Sequence, residues 1–463
     1  MRVLQATKYD LKCRQGYGVF EFDVSGAVRQ VALTLVSQQS DWVEVSFVHN
    51  EQTVGQTLLT HRQTERVVLI GQTIPTTSPT VTPQADLTGH WRLVYFVSGE
   101  NANTEHLTMT MSQTSELVRR DPDSDRDVLV DPAQRLDKQG WVKGDFHTHT
   151  IYSDGKMTRS QNIESAKKQH LDFFVATDHN VVTGSWPKGS AISTFAGSEV
   201  TTPFGHANVL GLTDRPYTAA SYVQLNMTDG AVAFLTQLGE HNLLSISHPF
   251  LDPWSWSLPL PLRVVGAIEV LNDPTYADNV RATDKALAFW SQLWNHGWRI
   301  AGIGGSDSHM LPTETYEGST RPSLLGDPGT FVYVPALTRE NVVAQVKKGA
   351  TMVSRIGRPV FTSPDQADLL PGQQLAATVH HFALALPTDL TTDYTIQWLL
   401  DGQIVKSEKG PASTYELDVA SGYHWLRADV RDEADVLVAT LTPVYWGTKT
   451  PDVTTFTEVA TGA

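Results

Sequence analysis

The sequence predicts a mixed α/β chain in three parts: a β-rich N-terminal part, a central unit of alternating strands and helices around a parallel sheet or barrel, and a β-rich C-terminal part. Three observations predict this. A chain of 463 residues exceeds one ordinary domain, and 40% hydrophobic with 18% charged residues are globular proportions. Short alternating apolar runs, separated by turn residues, fill both ends. From Trp141 onward, apolar strand-like runs alternate with helical stretches. We expect an N-terminal β-sandwich with an acidic linker over 1–135, the central unit over 141–355, and an Ig-like C-terminal β-sandwich over 356–463.

The N-terminal runs are Val19–Val24, Val31–Val36, Val43–Val48 and Trp91–Val97. Nothing in them points to catalysis. His49, His61 and His90 stand singly and read as surface or satisfied side chains. The single cysteine, Cys13, excludes an intrachain disulfide and any cluster of thiolate ligands, and has no His or Asp context to activate it. The stretch Asp121–Asp127 alternates acids around Pro122 and reads as a solvated linker; the Gly and distal Glu of an EF-hand are missing.

In the central unit nearly every strand is apolar until its carboxyl end, where His, Asp or Glu appears. They read as Gly144–His147, Phe173–His179, Thr194–Glu199, His206–Gly211, Leu243–Pro249, Gly266–Asn272 and Ile300–His309. Helices are expected over Thr158–His170, Gly230–His241, Asp278–His296 and Arg339–Lys348. In parallel α/β architectures the carboxyl ends of the strands build the site. Residues far apart in sequence would then share one rim. After Thr351 the alternation returns, with Tyr394–Leu400, an Asp401-Gly402 hairpin turn and Trp425–Val430. The Thr-rich tail beyond Trp446 reads as loose.

The central motif is His147-Thr148-His149, followed by Ser153-Asp154-Gly155. Positions i and i+2 of a strand share a face, so both imidazoles project side by side, and the turn can return Asp154 to the same point. Asp307 and His309 repeat this spacing. With His179, Glu199, His206 and His248 the candidate ligands are nitrogen and oxygen donors without sulfur, a set suited to Zn, Mn or Fe(II). It exceeds what one ion needs, so two or three divalent ions are expected. Thr177, Asp178, Asn180 and Ser306 adjoin ligands and are candidates to orient imidazoles.

His-Thr-His with Ser-Asp-Gly, then Thr-Asp-His, Gly-Ser-Glu, Ser-His-Pro and Gly-Ser-Asp-Ser-His, in that order, resemble the motifs of the PHP (polymerase and histidinol phosphatase) superfamily over residues 141–355. With its flanking β parts the whole chain is similar to the CehA/McbA-type metallohydrolases of that superfamily; Gly349–Ser354 and Leu400-Asp401-Gly402 resemble the passage into their C-terminal sandwich. The resemblance implies a distorted (β/α)7 barrel and a metal-dependent hydrolase. It places His147, His149 and Asp307 on one ion and has Glu199 bridge to a second, held also by His206 and His248. Asp154, His179 and His309 would hold a third. Asp154 stands where some members have His, which bears on the occupancy and preference of that third site. Asp307, His309 and His248 are the candidate catalytic residues.

Bound water on such ions has its pKa lowered toward about 7, which supplies hydroxide at neutral pH. Divalent ions outweigh the ligand carboxylates, so the site attracts a small anionic substrate although the chain carries a net charge of −15. Hydrolysis of a small phosphoester is the first expectation. Arg321 and Arg355, after barrel strands, are candidates to clamp phosphate, and Asn272, closing a strand, to bind substrate. Hydrolysis of a carboxylic ester or carbamate is the alternative; Trp254 and Trp256 would offer it an apolar wall. A metal-binding scaffold or sensor without catalysis is the alternative of another class. The acidic charge excludes a general attraction to long nucleic acid or an anionic membrane surface. No apolar run approaches the roughly 18 residues of a membrane span. The start lacks the apolar core of a signal peptide, and a cytoplasmic location is expected. The oligomeric state stays open.

Overall fold

The computed structural model describes residues 6–461 apart from 13–15, 39–41, 99–106, 116–118, 120–125, 128–136, 188–190, 389, 391–392 and 418–420. Cys13 and most of the acidic linker lie outside the described residues.

The N-terminal strands are β1 (Thr7–Leu11), β2 (Tyr17–Val24), β3 (Gln30–Ser37), β4 (Trp42–His49), β5 (Gln52–Leu59), β6 (Glu65–Gly71), β7 (Gly89–Ser98) and β8 (Leu107–Thr114). They form two antiparallel sheets, ordered β1-β8-β3-β6 and β2-β7-β4-β5. The alternating residues noted in the sequence face one core: Val31, Leu33 and Leu35 of β3 meet Val43, Val45 and Phe47 of β4. A two-residue ribbon, β9 (Arg126–Asp127) with β12 (Trp186–Pro187), lies beyond them.

The central strands are β10 (Gly140–Thr148), β11 (Phe173–Ala176), β13 (Ser193–Thr202), β14 (Gly205–Leu210), β15 (Leu243–Ile246), β16 (Ala267–Asn272), β17 (Ala301–Gly305), β18 (Gly329–Val334) and β19 (Thr351–Ser354). The helices are α1 (Arg159–Lys168), α2 (Ser221–Leu225), α3 (Thr228–His241), α4 (Asn279–Asn295) and α5 (Arg339–Lys347). Thr158 begins α1 with a capping box to Gln161, which satisfies orphan backbone donors at its start. The chain is thus mixed α/β and rich in sheet.

Several features depart from a regular βα alternation. The pairs β10–β18 and β18–β19 are antiparallel. The pairs β13–β14 and β14–β15 are antiparallel as well: a tight turn at Pro203-Phe204 reverses the chain into β14, and α2 and α3 then connect β14 to β15. The sheet curls until β17 lies against β10, yet they meet through one bridge, Thr148–Ser308, and not a ladder. Close approach explains the glycine at the end of β17: a Cβ on Gly305 would stand 2.3 Å from His147 Cβ.

The C-terminal strands are β20 (Val360–Thr362), β21 (His381–Ala385), β22 (Thr395–Leu400), β23 (Gln403–Lys409), β24 (Ala412–Glu416), β25 (His424–Arg431), β26 (Leu437–Leu441) and β27 (Val444–Trp446). One sheet runs on from the central unit, since β19 pairs with β26; β20-β21-β24 form a separate one. The tail corrects the expectation of looseness. It ends in α6 (Phe456–Thr461), and Phe456 is fully buried, 4.3 Å from the Phe289 ring of α4.

Candidate metal centre

The donors reach one crater from six strands. His147 belongs to β10 and His149 follows it; their rings lie 5.1 Å apart beside an irregularity in the β10–β11 register. A register break of this kind is a common means of re-aiming a side chain. His179 follows β11, Glu199 lies within β13, His248 follows β15, and Asp307 and His309 follow β17. His206 arrives from the opposite direction. It stands at the start of β14, and because that strand runs antiparallel its first residues are at the same rim. Asn180, His248 and Asp307 have φ of 51°, 27° and 48°. Non-glycine residues held there store about 1–3 kcal/mol of strain each, and such strain clusters at functional sites.

His147 Nε2 and His149 Nε2 lie 3.2 and 3.0 Å from Asp307 Oδ1. Ring nitrogens of His147, His206 and His248 stand 3.2, 3.3 and 3.3 Å from Glu199 Oε1. His309 Nε2 and His179 Nε2 are 3.0 and 3.5 Å from Asp154 Oδ1, and His179 Nδ1 is 2.9 Å from Glu199 Oε2. The donors form four overlapping groups, each with ligand atoms within 4.8 Å of one another. His147, His149, His179 and Glu199 each belong to two of them, so among the described residues the crater is one connected set. A tetrahedral ion with bonds of about 2.1 Å spaces its ligand atoms by about 3.4 Å, the spacing seen here.

Chemistry as well as spacing fits divalent ions. Nε2 of His147 and His149, Nδ1 of His206, Oδ1 of Asp154 and Asp307 and both oxygens of Glu199 are buried without a hydrogen-bond partner. Buried polar atoms are normally satisfied, and unpaired ones are costly. Burial opposes charge on all these groups; opposite charges nearby overcome it at some of them, and at His149 and His206 they do not. The imidazoles hold Glu199 and Asp307 well below the carboxylate range. Burial, with His309 and His179 nearby, pushes His149 down to about 4; against its burial, Asp154 and Asp307 raise His309 to about 9.

A second set of carboxylates braces the first. Glu269 accepts from His147 Nδ1 at 2.8 Å, from the His248 backbone N–H at 2.9 Å and from Asn272 Nδ2 at 3.0 Å. A carboxylate only accepts, so His147 carries a proton on Nδ1, which leaves Nε2, the nitrogen facing the crater, as the one that can coordinate an ion. Asp145 accepts the backbone N–H of His147, Ser306 and Gly326. Asp178 accepts from Thr150, Ser153 and Thr183 and so fixes the turn that carries Asp154. Of the expected orienting residues, Asp178, Thr177 and Ser306 hold backbone and turns; Asn180 donates to Glu44 of β4. Glu269 and Asp145 escaped the sequence reading. For Glu269 the signal was available: a lone carboxylate inside the apolar run Ala267–Leu271.

A cavity of about 580 Å³ opens over the crater. The structure does not bring the three expected substrate-binding residues into it. Arg355 forks onto Asp327, with Nε–Oδ1 at 2.7 Å and Nη2–Oδ2 at 3.1 Å. Arg321 is exposed, its guanidinium 3.9 Å from the same carboxylate. Asn272 is buried between Glu269 and Asn279. Trp254 lines the cavity, whereas Trp256 is core and donates to Leu258 O. His61, expected to be a surface or satisfied side chain, is exposed at the cavity wall beside Arg62.

No protein-family model and no curated protein matches the chain. Among solved structures, a two-domain protein from Bacteroides vulgatus, described as "containing predicted PHP-like metal-dependent phosphoesterase", is 17% identical over 69% of this chain and 99% of its own, with a TM-score of 0.37. An amidohydrolase from Chromobacterium violaceum, with bound sulfate and no metal, is 15% identical over 37% of this chain and 89% of its own, with a TM-score of 0.23. These likenesses are partial, and the chemistry has to be argued from the side chains. No helix among the described residues is long and apolar enough to cross a membrane.

Proposed function

We propose that the chain is a metal-dependent hydrolase of PHP type that cleaves a small phosphoester. One observation carries the reading: nitrogen and oxygen donors from six strands converge, while facing atoms of His147, His149, His206, Asp154, Glu199 and Asp307 lack hydrogen bonds. Divalent ions, two or three of Zn, Mn or Fe, would supply activated water and neutralise charge on the reacting oxygens. His147, His149 and Asp307 would hold one, Glu199 with His206 and His248 a second, and Asp154, His179 and His309 a third. The chain's own part is orientation. Glu269 fixes the His147 tautomer and the His248 backbone, and Asp178 fixes the turn bearing Asp154. Trp254, Leu251, Tyr276 and Tyr316 line the cavity and would hold an apolar portion of the substrate. Asp307, His248 and His309 face the reacting group as the catalytic candidates. On this reading the enzyme works in the cytoplasm on a freely diffusing anion.

The same apolar wall favours a second reading, hydrolysis of a carboxylic ester or carbamate. Metal-loaded protein assayed on 4-nitrophenyl phosphate, bis(4-nitrophenyl) phosphate and 4-nitrophenyl acetate separates the two. Preference for either phosphate supports the first reading, and activity on the acetate alone supports the second. Bound metal with no hydrolysis of any ester would leave the scaffold.

A further inference from the structure

The N-terminal sheets do more than flank the crater. Trp42 of β4 lies edge-on to His179, ring centroids 5.1 Å apart, and donates to Glu44, which also receives Asn180 Nδ2. The connection from β5 to β6 reaches the turn that carries Asp154. Gln63 Nε2 donates to Gly155 O at 2.8 Å, and Arg66 donates to the carbonyls of Ile151 and Ser153. Those contacts fasten the two parts together and use up the Arg66 guanidinium.

Arg62, four residues earlier, is placed differently. It lines the cavity, and among the described residues it is the one Lys or Arg that does. Its Nη1 makes only long approaches to Asp154, 3.5 Å to the carbonyl and 3.8 Å to Oδ2, and 35% of its side chain remains exposed. The other titratable side chains of the wall are acids, the crater's imidazoles, His61 and the tyrosines Tyr276 and Tyr316. A guanidinium fork in that position matches the oxygens of a phosphate or phosphonate.

We propose that Arg62 is a substrate-binding residue, supplied by the N-terminal sheets, that takes the anionic group of the substrate beside the Asp154 edge of the crater. The inference rests on the hydrolase reading for its meaning, but its test is a binding measurement. Metal-loaded full-length protein is titrated calorimetrically with phenylphosphonate, an anion that cannot be hydrolysed, and ions per chain are counted in parallel. R62Q should weaken binding about 10- to 100-fold, the loss expected for a charge-assisted hydrogen bond. R62K should fall between the two, keeping the charge without the fork. On 4-nitrophenyl phosphate, KM should rise by a similar factor and kcat fall by less. Wild-type affinity in R62Q, or no binding by the wild type, overturns the inference. So does a loss of affinity matched by a loss of ions, because Arg62 would then act by bracing Asp154. Arg62-dependent binding without hydrolysis of any phosphoester leaves the inference standing and removes the phosphoesterase reading.

Discussion

Replacing Glu269 by glutamine isolates one step in how the crater is prepared for metal. Glu269 offers two oxygens to three donors: Oε1 faces His147 Nδ1, and Oε2 faces the His248 backbone N–H and Asn272 Nδ2. Glutamine has one carbonyl oxygen and one NH2. The oxygen will settle where two donors converge, at the His248 and Asn272 side. The NH2 then faces His147 Nδ1, which must become an acceptor, so the proton moves to Nε2. A protonated Nε2 is no ligand. His147 is fully buried and has no alternative partner in solvent. Loss of an orienting partner of this kind typically costs 10- to 100-fold in metal affinity, about 1.4–2.8 kcal/mol. The assay is competition with a chromophoric chelator, with ions per chain counted after dialysis. Wild-type affinity and full occupancy in E269Q would refute the tautomer argument, since the ring would then be oriented by something else.

Three further outcomes follow from the same geometry. Chelation should lower the Tm of the central unit by several degrees, because ligand at 100 times its Kd stabilises by about 2.7 kcal/mol, and scanning calorimetry with and without EDTA checks this. Arg355→Ala should cost about 2–3 kcal/mol by removing the forked partner of Asp327, measured by urea unfolding, while KM for phosphoesters holds within about twofold. Glu44 is pushed up from 4.5 to about 7 by burial, so its contribution to stability is full below pH 4.5 and is lost as pH rises through 7. Glu44→Gln should therefore stabilise the chelated protein near pH 8 by up to about 3 kcal/mol and change little near pH 4; equal shifts at both pH values would contradict it.

The crater was largely legible in the sequence because its donors sit at strand ends. A hydrophobic run marks a strand, and the first polar residue beyond it marks the rim, whichever way the strand runs. That is why His206 joins Glu199 and His248 although β14 is antiparallel to its neighbours. The direction itself was not legible. A six-residue apolar run reads the same in either sense, and only the short turn at Pro203-Phe204 hinted at a hairpin. The substrate side was read least well. Arg62, Arg66, Arg321 and Arg355 are one residue type with four fates: facing the cavity, tied to carbonyls, exposed, and forked on Asp327. Contacts across the fold decide among these, and no local pattern records them. His61 and Arg62 lie more than 80 residues before His147-Thr148-His149, in a part read as flanking.

The arrangement of carboxylates argues for a metal centre over a network of ion pairs. An ion-pair network can satisfy all its members, and buried networks generally do. Here the carboxylates divide. Asp145, Asp178 and Glu269 each accept three or more hydrogen bonds, chiefly from backbone and hydroxyl donors, and stand behind the crater. Asp154, Glu199 and Asp307 turn oxygens without hydrogen bonds into it, opposite imidazole nitrogens equally unpaired. Satisfying the outer group fixes loops and tautomers; leaving the inner group unsatisfied keeps lone pairs available at coordination spacing. A fold that needed these residues only for stability would gain by pairing the inner oxygens as it pairs the outer ones. Strained backbone at His248 and Asp307 points the same way, since both residues give up a favourable conformation to face the crater.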